Sequence, residues 1–168
     1  MKKFLLLSVT AAMLFVFSSR AIAAETPTKE VFDTEASEPL GQDHGNSPWV
    51  ADIEEITMEN QNFRAAKWTG KYIQMTLMSI PAGGEIGGEV HHFTDQFIRI
   101  ESGKGRVMMG AGADNVTFNE EVSADWVLFI PAGYWHNLYN TGEEDLKLYS
   151  IYGPPQHLPG TVHKTFEE

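Results

Sequence analysis

From Phe63 to Tyr152 the chain alternates short apolar runs with clusters of glycine, proline, asparagine and aspartate. The runs "YIQMTLMSI", "QFIRI", "RVMM", "DWVLFIPA", "WHNLYN" and "LKLYSIY" are short and enriched in β-branched, aromatic and other apolar side chains, which predicts a strand for each. Between them stand "SIPAGGEIGG", "ESGKG", "GAGADN", "PAG" and "NTGEED", in which glycine supplies the positive φ that tight turns require. Turn signals at intervals of about ten residues predict an all-β sandwich or small barrel. No helical crossover separates the runs, which argues for antiparallel pairing. Ahead of them, "VADIEEITMENQNF" predicts a short helix, since Ile53 and Ile56 share a side.

Both ends depart from this texture. Lys2 and Lys3, the apolar run Phe4 to Phe17, and the small-residue site Ala21-Ile22-Ala23 have the layout of a secretory signal peptide over residues 1–23. The apolar run is shorter than the roughly 20 residues a membrane span needs. The expectation is therefore cleavage and export to the periplasm or the extracellular space. Residues 24–48, rich in Glu, Thr, Ser, Pro and Gly, read as a flexible N-terminal arm. Residues 49–153 hold the predicted barrel, and 154–168, opening on two prolines, read as an irregular tail.

Removing residues 1–23 leaves 9 basic against 23 acidic residues, a formal charge of −14. Such a surface repels phosphate backbones and anionic lipid, which excludes nucleic acid and membrane surfaces as expected partners. There is no cysteine, so disulfides, thiolate metal sites and a cysteine nucleophile are excluded too.

No phosphate loop, dinucleotide fingerprint or nucleophile elbow is present. Metal-ligand chemistry remains. If the run around residue 90 is a strand, Glu89 and His91 project to one face about 7 Å apart, with His92 on the other. Gln96 falls on the next strand, and His136 follows the Pro131-Ala132-Gly133 turn at the start of another. One carboxylate, two imidazoles and an amide oxygen could meet inside a barrel and hold a divalent ion, with Fe, Mn, Ni and Zn not separable by ligand type. A buried Glu89 without a cation would be costly unless neutralised. His44, His157 and His163 fall in irregular segments and read as solvated, unless the tail folds back to bring His163 to the pocket. Arg99 alternates with Phe97 and Glu101 and reads as an outer-face partner of an acid.

These spacings resemble the two motifs of the single-domain cupins, G-x5-H-x-H-x4-E-x6-G and G-x5-P-x-G-x2-H-x3-N. Gly83, Glu89, His91, Gln96 and Gly103 keep the first spacing, and Pro131, Gly133, His136 and Asn140 the second. Glu89 stands where the family usually has a His, Gln96 where it usually has Glu, and Asp125 replaces the leading Gly of the second motif. The charge of the ligand set is unchanged at one negative, moved to another corner. "EVHHFTDQFIRIESGKG" and "YGPPQHLPGTVHKT" are also similar to small cupins labelled mannose-6-phosphate-isomerase-like. The resemblance implies a double-stranded β-helix, or jelly-roll barrel, with a divalent metal on Glu89, His91, Gln96 and His136, and a homodimer formed through sheet edges. Two functions are compatible with it. One is an exported metal-dependent enzyme of dioxygenase, lyase or isomerase type acting on a small polar molecule. The other is a non-catalytic module that binds a metal or a small ligand such as a sugar.

Overall fold

The computed structural model describes residues 42–167. The expected signal segment and residues 24–41 of the expected arm lie outside the described residues. One helix, α1 (Ile53–Glu59), precedes ten strands: β1 (Arg64–Thr69), β2 (Gln74–Ile80), β3 (Glu89–Val90), β4 (Asp95–Ser102), β5 (Lys104–Gly112), β6 (Asn115–Ser123), β7 (Val127–Ile130), β8 (Trp135–Asn140), β9 (Leu146–Gly153) and β10 (Val162–His163). The helix begins where Asp52 Oδ1 accepts from Glu54 N at 3.1 Å and Glu55 N at 3.2 Å. That cap satisfies two of the free N–H groups of the first turn, and Glu54 and Glu55 suit its positive end.

The strands form two antiparallel sheets, one ordered β10-β1-β2-β9-β4-β7 and the other β3-β8-β5-β6. This is the all-β, double-sheet barrel that the strand pattern and the family resemblance imply. Alternation gives each strand one inward row. On β4 the row is Gln96, Ile98 and Ile100, all buried, while Phe97, Arg99 and Glu101 face out. Register aligns these rows into layers. Leu146 pairs with Ile80, and Leu148 with both Met78 and Ile100. Next, Ser150 meets Thr76 and Ile98, and then Tyr152 meets Gln74 and Gln96. Across the barrel, β8 runs from Asn140 through Leu138 to His136. One end of the interior is therefore aliphatic and the other polar. Burying each aliphatic side chain there contributes about 1.5–3 kcal/mol.

The outer row of β2 is covered as well, Leu77 and Ser79 being buried, and Ser79 N donates to Asn62 O at 3.0 Å, which extends the β1–β2 pairing toward α1. Gly103 links β4 to β5 at φ 98°, and a Cβ there would come within 3.0 Å of the Leu146 backbone. Asp125, where the family pattern has glycine, also takes a positive φ of 71°. Aspartate tolerates that region better than most residues, and here its carboxylate accepts from Arg99 Nη2 at 2.7 Å. Arg99 Nη1 bonds Glu101, as the alternation implied.

The end of the arm is not loose. Asp43 accepts from Gly45 N at 2.8 Å, Thr69 N at 3.0 Å, the Thr69 hydroxyl and Gly160 N at 2.9 Å. His44 stacks on Trp49 with ring centroids 4.5 Å apart. Nor is the tail wholly irregular, since β10 pairs with β1 through Arg64↔His163 and Ala65↔Val162. Phe166 meets Phe63 edge-on at 5.6 Å and packs against Gly87. The tail thus joins the corner where β1 of one sheet approaches the entry to β3 of the other.

Candidate metal centre

Glu89 is Cα partner to His136 in the β3–β8 pair. Backbone pairing alone therefore brings the carboxylate beside that imidazole. The strand around residue 90 is shorter than its sequence implied. It ends at Val90, and His91 and His92 lie in the turn beyond. His91 is held by a different device, for its carbonyl accepts from Gly133 N at 2.9 Å. Gly133 takes φ 83° in the Pro131-Ala132-Gly133 turn that opens β8, so the two ligand-bearing segments are joined main chain to main chain. His92 is exposed, with its ring 6.5 Å from Phe93. Of the doubled histidine, His91 looks inward.

The donor atoms of Glu89, His91 and His136 all lie within 4.8 Å of one another. Glu89 Oε1 is 3.2 Å from His91 Nε2 and 3.4 Å from His136 Nε2. Two ligands bound at about 2.1 Å to one ion stand roughly 3.0–3.5 Å apart, so these separations suit a shared cation. His136, 1 % exposed, places Nδ1 3.1 Å from the carbonyl of Tyr134. A carbonyl only accepts, so Nδ1 carries the proton and Nε2 presents its lone pair inward. That Nε2 has no hydrogen-bond partner. Burial is the strongest single influence on the Glu89 carboxyl and opposes its ionisation. The His136 and His91 rings facing it, with the charge of Arg64, outweigh burial and hold the group well below the usual carboxylate range.

Gln96, the fourth expected ligand, is also buried in the polar end. Its Nε2 donates to Ser150 Oγ at 3.0 Å and Tyr152 OH at 3.2 Å. Ser150 Oγ gives its proton to the carbonyl of Phe97 at 3.2 Å, so it can only accept from Gln96. This fixes the orientation of the amide and leaves Oε1 buried without a partner. An orphaned imidazole nitrogen beside a carboxylate, with an orphaned amide oxygen in the same polar end, is what a cation would satisfy. The residues present fit one.

Two further side chains complete the surroundings. Tyr152 is fully buried, and its ring meets His91 edge-on at 5.6 Å while its hydroxyl receives Gln96. His157 does not stand in solvent as its irregular segment implied. The tail folds back so that Gln74 Oε1 accepts from His157 N at 2.8 Å, and Gln74 Nε2 donates to His157 O at 2.9 Å. The His157 ring then packs edge-on against Tyr152 at 5.1 Å. Burial, followed by the charge of Arg64, pulls its pKa down to about 4, so it is neutral near pH 7. Sequence reasoning missed this contact because it joins positions 83 residues apart through a segment without periodicity. His163, the other tail histidine considered for the pocket, is half-buried on β10 opposite Arg64.

The chain is a two-sheet antiparallel barrel that turns one carboxylate and two imidazoles, a group that could hold a cation, into its polar end. The cupin domain family model matches residues 76–152, and the chain belongs to that family. It is similar to uncharacterized protein YrkC of Bacillus subtilis (strain 168), with 51% identity over 126 residues, 75% of this chain and 68% of that one. Uncharacterized protein L612 of Acanthamoeba polyphaga mimivirus is 35% identical over 118 residues, 70% of this chain and 72% of its own. Among solved structures, that of BH2720 from Bacillus halodurans aligns with a TM-score of 0.74 at 55% identity, covering 75% of this chain and 96% of that chain. Among the described residues no helix is long and apolar enough to cross a membrane.

Proposed function

We propose that this cupin is an exported, metal-dependent enzyme that acts on a small polar molecule. The observation that carries the reading is the convergence of Glu89, His91 and His136, with His136 Nε2 unpartnered among them and Gln96 Oε1 unpartnered in the same polar end. Glu89, His91 and His136 hold the ion, and Gln96 is a weak fourth ligand, since a neutral amide oxygen binds less firmly than a carboxylate. When bound, a divalent ion supplies a Lewis acid or an oxygen-binding centre. Dioxygenase, lyase and isomerase reactions all use such a centre, the last in keeping with the sequence likeness to mannose-6-phosphate-isomerase-like cupins. The chain's own contribution is positional. Tyr152 fixes the Gln96 amide and buttresses the His91 ring, and the Tyr134 carbonyl fixes the tautomer of His136.

Metal analysis of the purified protein, Glu89→Ala and His136→Ala tests the site. One equivalent in the parent and loss in both variants supports it; retention of full metal by both refutes it. Oxygen uptake and product screens with each metal form then decide whether the centre turns over. A loaded protein that binds small ligands without turnover would be a binding module instead.

Export rests on the layout of residues 1–23 and is tested by mass spectrometry of the N-terminus, where an intact Met1 on secreted protein would refute cleavage. Pairing of two copies is supported by the free edge of β7 and by an apolar groove of about 470 Å³ beside it, between Phe97, Phe129 and Ile151. Light scattering that finds a monomer in both the parent and Phe129→Glu would remove the dimer.

A further inference from the structure

Arg64 is a buried cation that the metal site does not use. It begins β1, opposite Met78, so its side chain enters the barrel from the inward row. It is 8 % exposed, and Cζ lies 5.5 Å from the centroid of the Phe63 ring. Phe166 spans Phe63 and Gly87, so β1 and the segment leading into Glu89 meet at one corner. Along the inward rows the Arg64–Met78 pair stands one layer from Thr76 and two from Gln74, Gln96 and Tyr152, and the guanidinium's charge acts on Glu89, Tyr152 and His157, toward the polar end. Yet among the described residues Arg64 forms no salt bridge, and its Nε has no hydrogen-bond partner. Glu89, the acid its charge acts on, faces the two imidazoles instead.

A guanidinium out of water with no counter-anion is costly, and a structure retains one where an anion arrives from outside. The charge count agrees. With a divalent ion on the three ligands, Glu89 contributes one negative charge and Arg64 one positive, leaving a chamber of net +2. Nearby, the buried Thr76 hydroxyl also lacks a partner. The guanidinium fork matches the two oxygens of a carboxylate, with Thr76 as an additional donor. A phosphate can present the same pair of oxygens to the fork, which makes inorganic phosphate the competing probe in the test.

We propose that Arg64 anchors the carboxylate of a small organic acid whose other polar group points toward Glu89, His91 and His136. This narrows the substrate of the proposed function to a carboxylate and rests on that reading for the second polar group alone. Arg64 is a binding residue whose contact with the anion needs no metal.

The test is calorimetric titration of acetate, glycolate, their amides and inorganic phosphate into the full-length protein, metal-free and metal-loaded, with metal content measured in parallel. Both acids should bind and their amides should not. Arg64→Met should weaken the acids by at least about ten-fold with metal content unchanged. Arg64→Lys, which keeps the charge and loses the fork, should fall between. Amides binding as well as acids, phosphate binding more tightly than either acid, or unchanged acid affinity in Arg64→Met would overturn the assignment. Should the parent hold no metal, the proposed function fails while discrimination between acid and amide in the metal-free protein still decides the role of Arg64. If Arg64→Met does not fold by circular dichroism, Arg64→Lys and the parent's acid-to-amide ratio carry the decision.

Discussion

The two ends of the barrel interior are built from the same strands and solve opposite problems. At one end β2, β4, β8 and β9 present Ile80, Ile100, Leu138 and Leu146, every one fully buried and packed into a single aliphatic cluster. A few residues along the same inward rows stand Thr76, Gln96, His136 and Tyr152. Eight buried side-chain atoms among the described residues lack a hydrogen-bond partner, and four of them, on Thr76, Gln96, His136 and His157, belong to this second end. Such clustering is not a packing accident, because buried polar groups are ordinarily satisfied. The aliphatic end gives up nothing to ligand binding, and the polar end gives up packing for donors and acceptors that wait for a partner.

The sharpest way to break this contrast is to damage each end and compare. Leu148→Ala at the aliphatic end should cost about 2–5 kcal/mol in denaturant unfolding and leave metal stoichiometry unchanged. If metal is lost as well, the two ends are not separable. Asp43→Ala removes the acceptor that ties the arm and tail to Thr69, and should cost about 1–2 kcal/mol, since solvent screening limits a half-exposed carboxylate.

The same clamp predicts a pH dependence confined to the junction of arm, β1 and tail. Although burial works against its ionisation, the bonds from Thr69, Gly160 and Gly45 hold the Asp43 carboxyl below its ordinary value of 3.8. A depressed carboxyl contributes stability that is present above its unfolded value and lost as the pH falls through the folded one. Hydrogen exchange at the amides of Thr69 and Gly160 should therefore accelerate below about pH 4, and Asp43→Asn should remove that acceleration. Equal acceleration at Leu148 would show global unfolding instead. The smallest effect is expected at Gln96→Leu: metal-free stability within about 1 kcal/mol of the parent, because one orphaned oxygen disappears along with two donated bonds. Its metal affinity, read by competition with a chelator, should still fall. A destabilisation comparable to Leu148→Ala would mean that Gln96 serves the fold.

Legibility in the sequence follows the same division. Strands β2, β4, β8 and β9 were readable because their inward rows alternate with, or are flanked by, β-favouring residues. β1, "RAAKWT", carries two alanines and two basic residues, and is nearly all buried because the chain after α1, the arm and β10 surround it. Nothing local announces that burial. β6, "NVTFNEEVS", is the reverse: an edge strand mostly in solvent, with Val122 its buried anchor, so it lacks the apolar period that marks a strand. That Glu89, His91 and His136 would face one another was legible through spacing, and so was the inward position of Gln96. Arg64 and His157 were not, because one enters from a strand with no pattern and the other arrives only when the tail folds back on Gln74.

The bond from Gly133 N to His91 O, together with the pairing of Glu89 with His136, fixes the ligand positions through the main chain alone. Main-chain contacts are blind to the identity of the side chains they carry. The corner therefore works as a socket whose pins can be exchanged without re-tooling the housing. A carboxylate can sit where the general cupin pattern has an imidazole, and an amide where it has a carboxylate, with the main-chain frame unchanged. The cation preference of such a barrel can drift by single substitutions while its shape stays fixed.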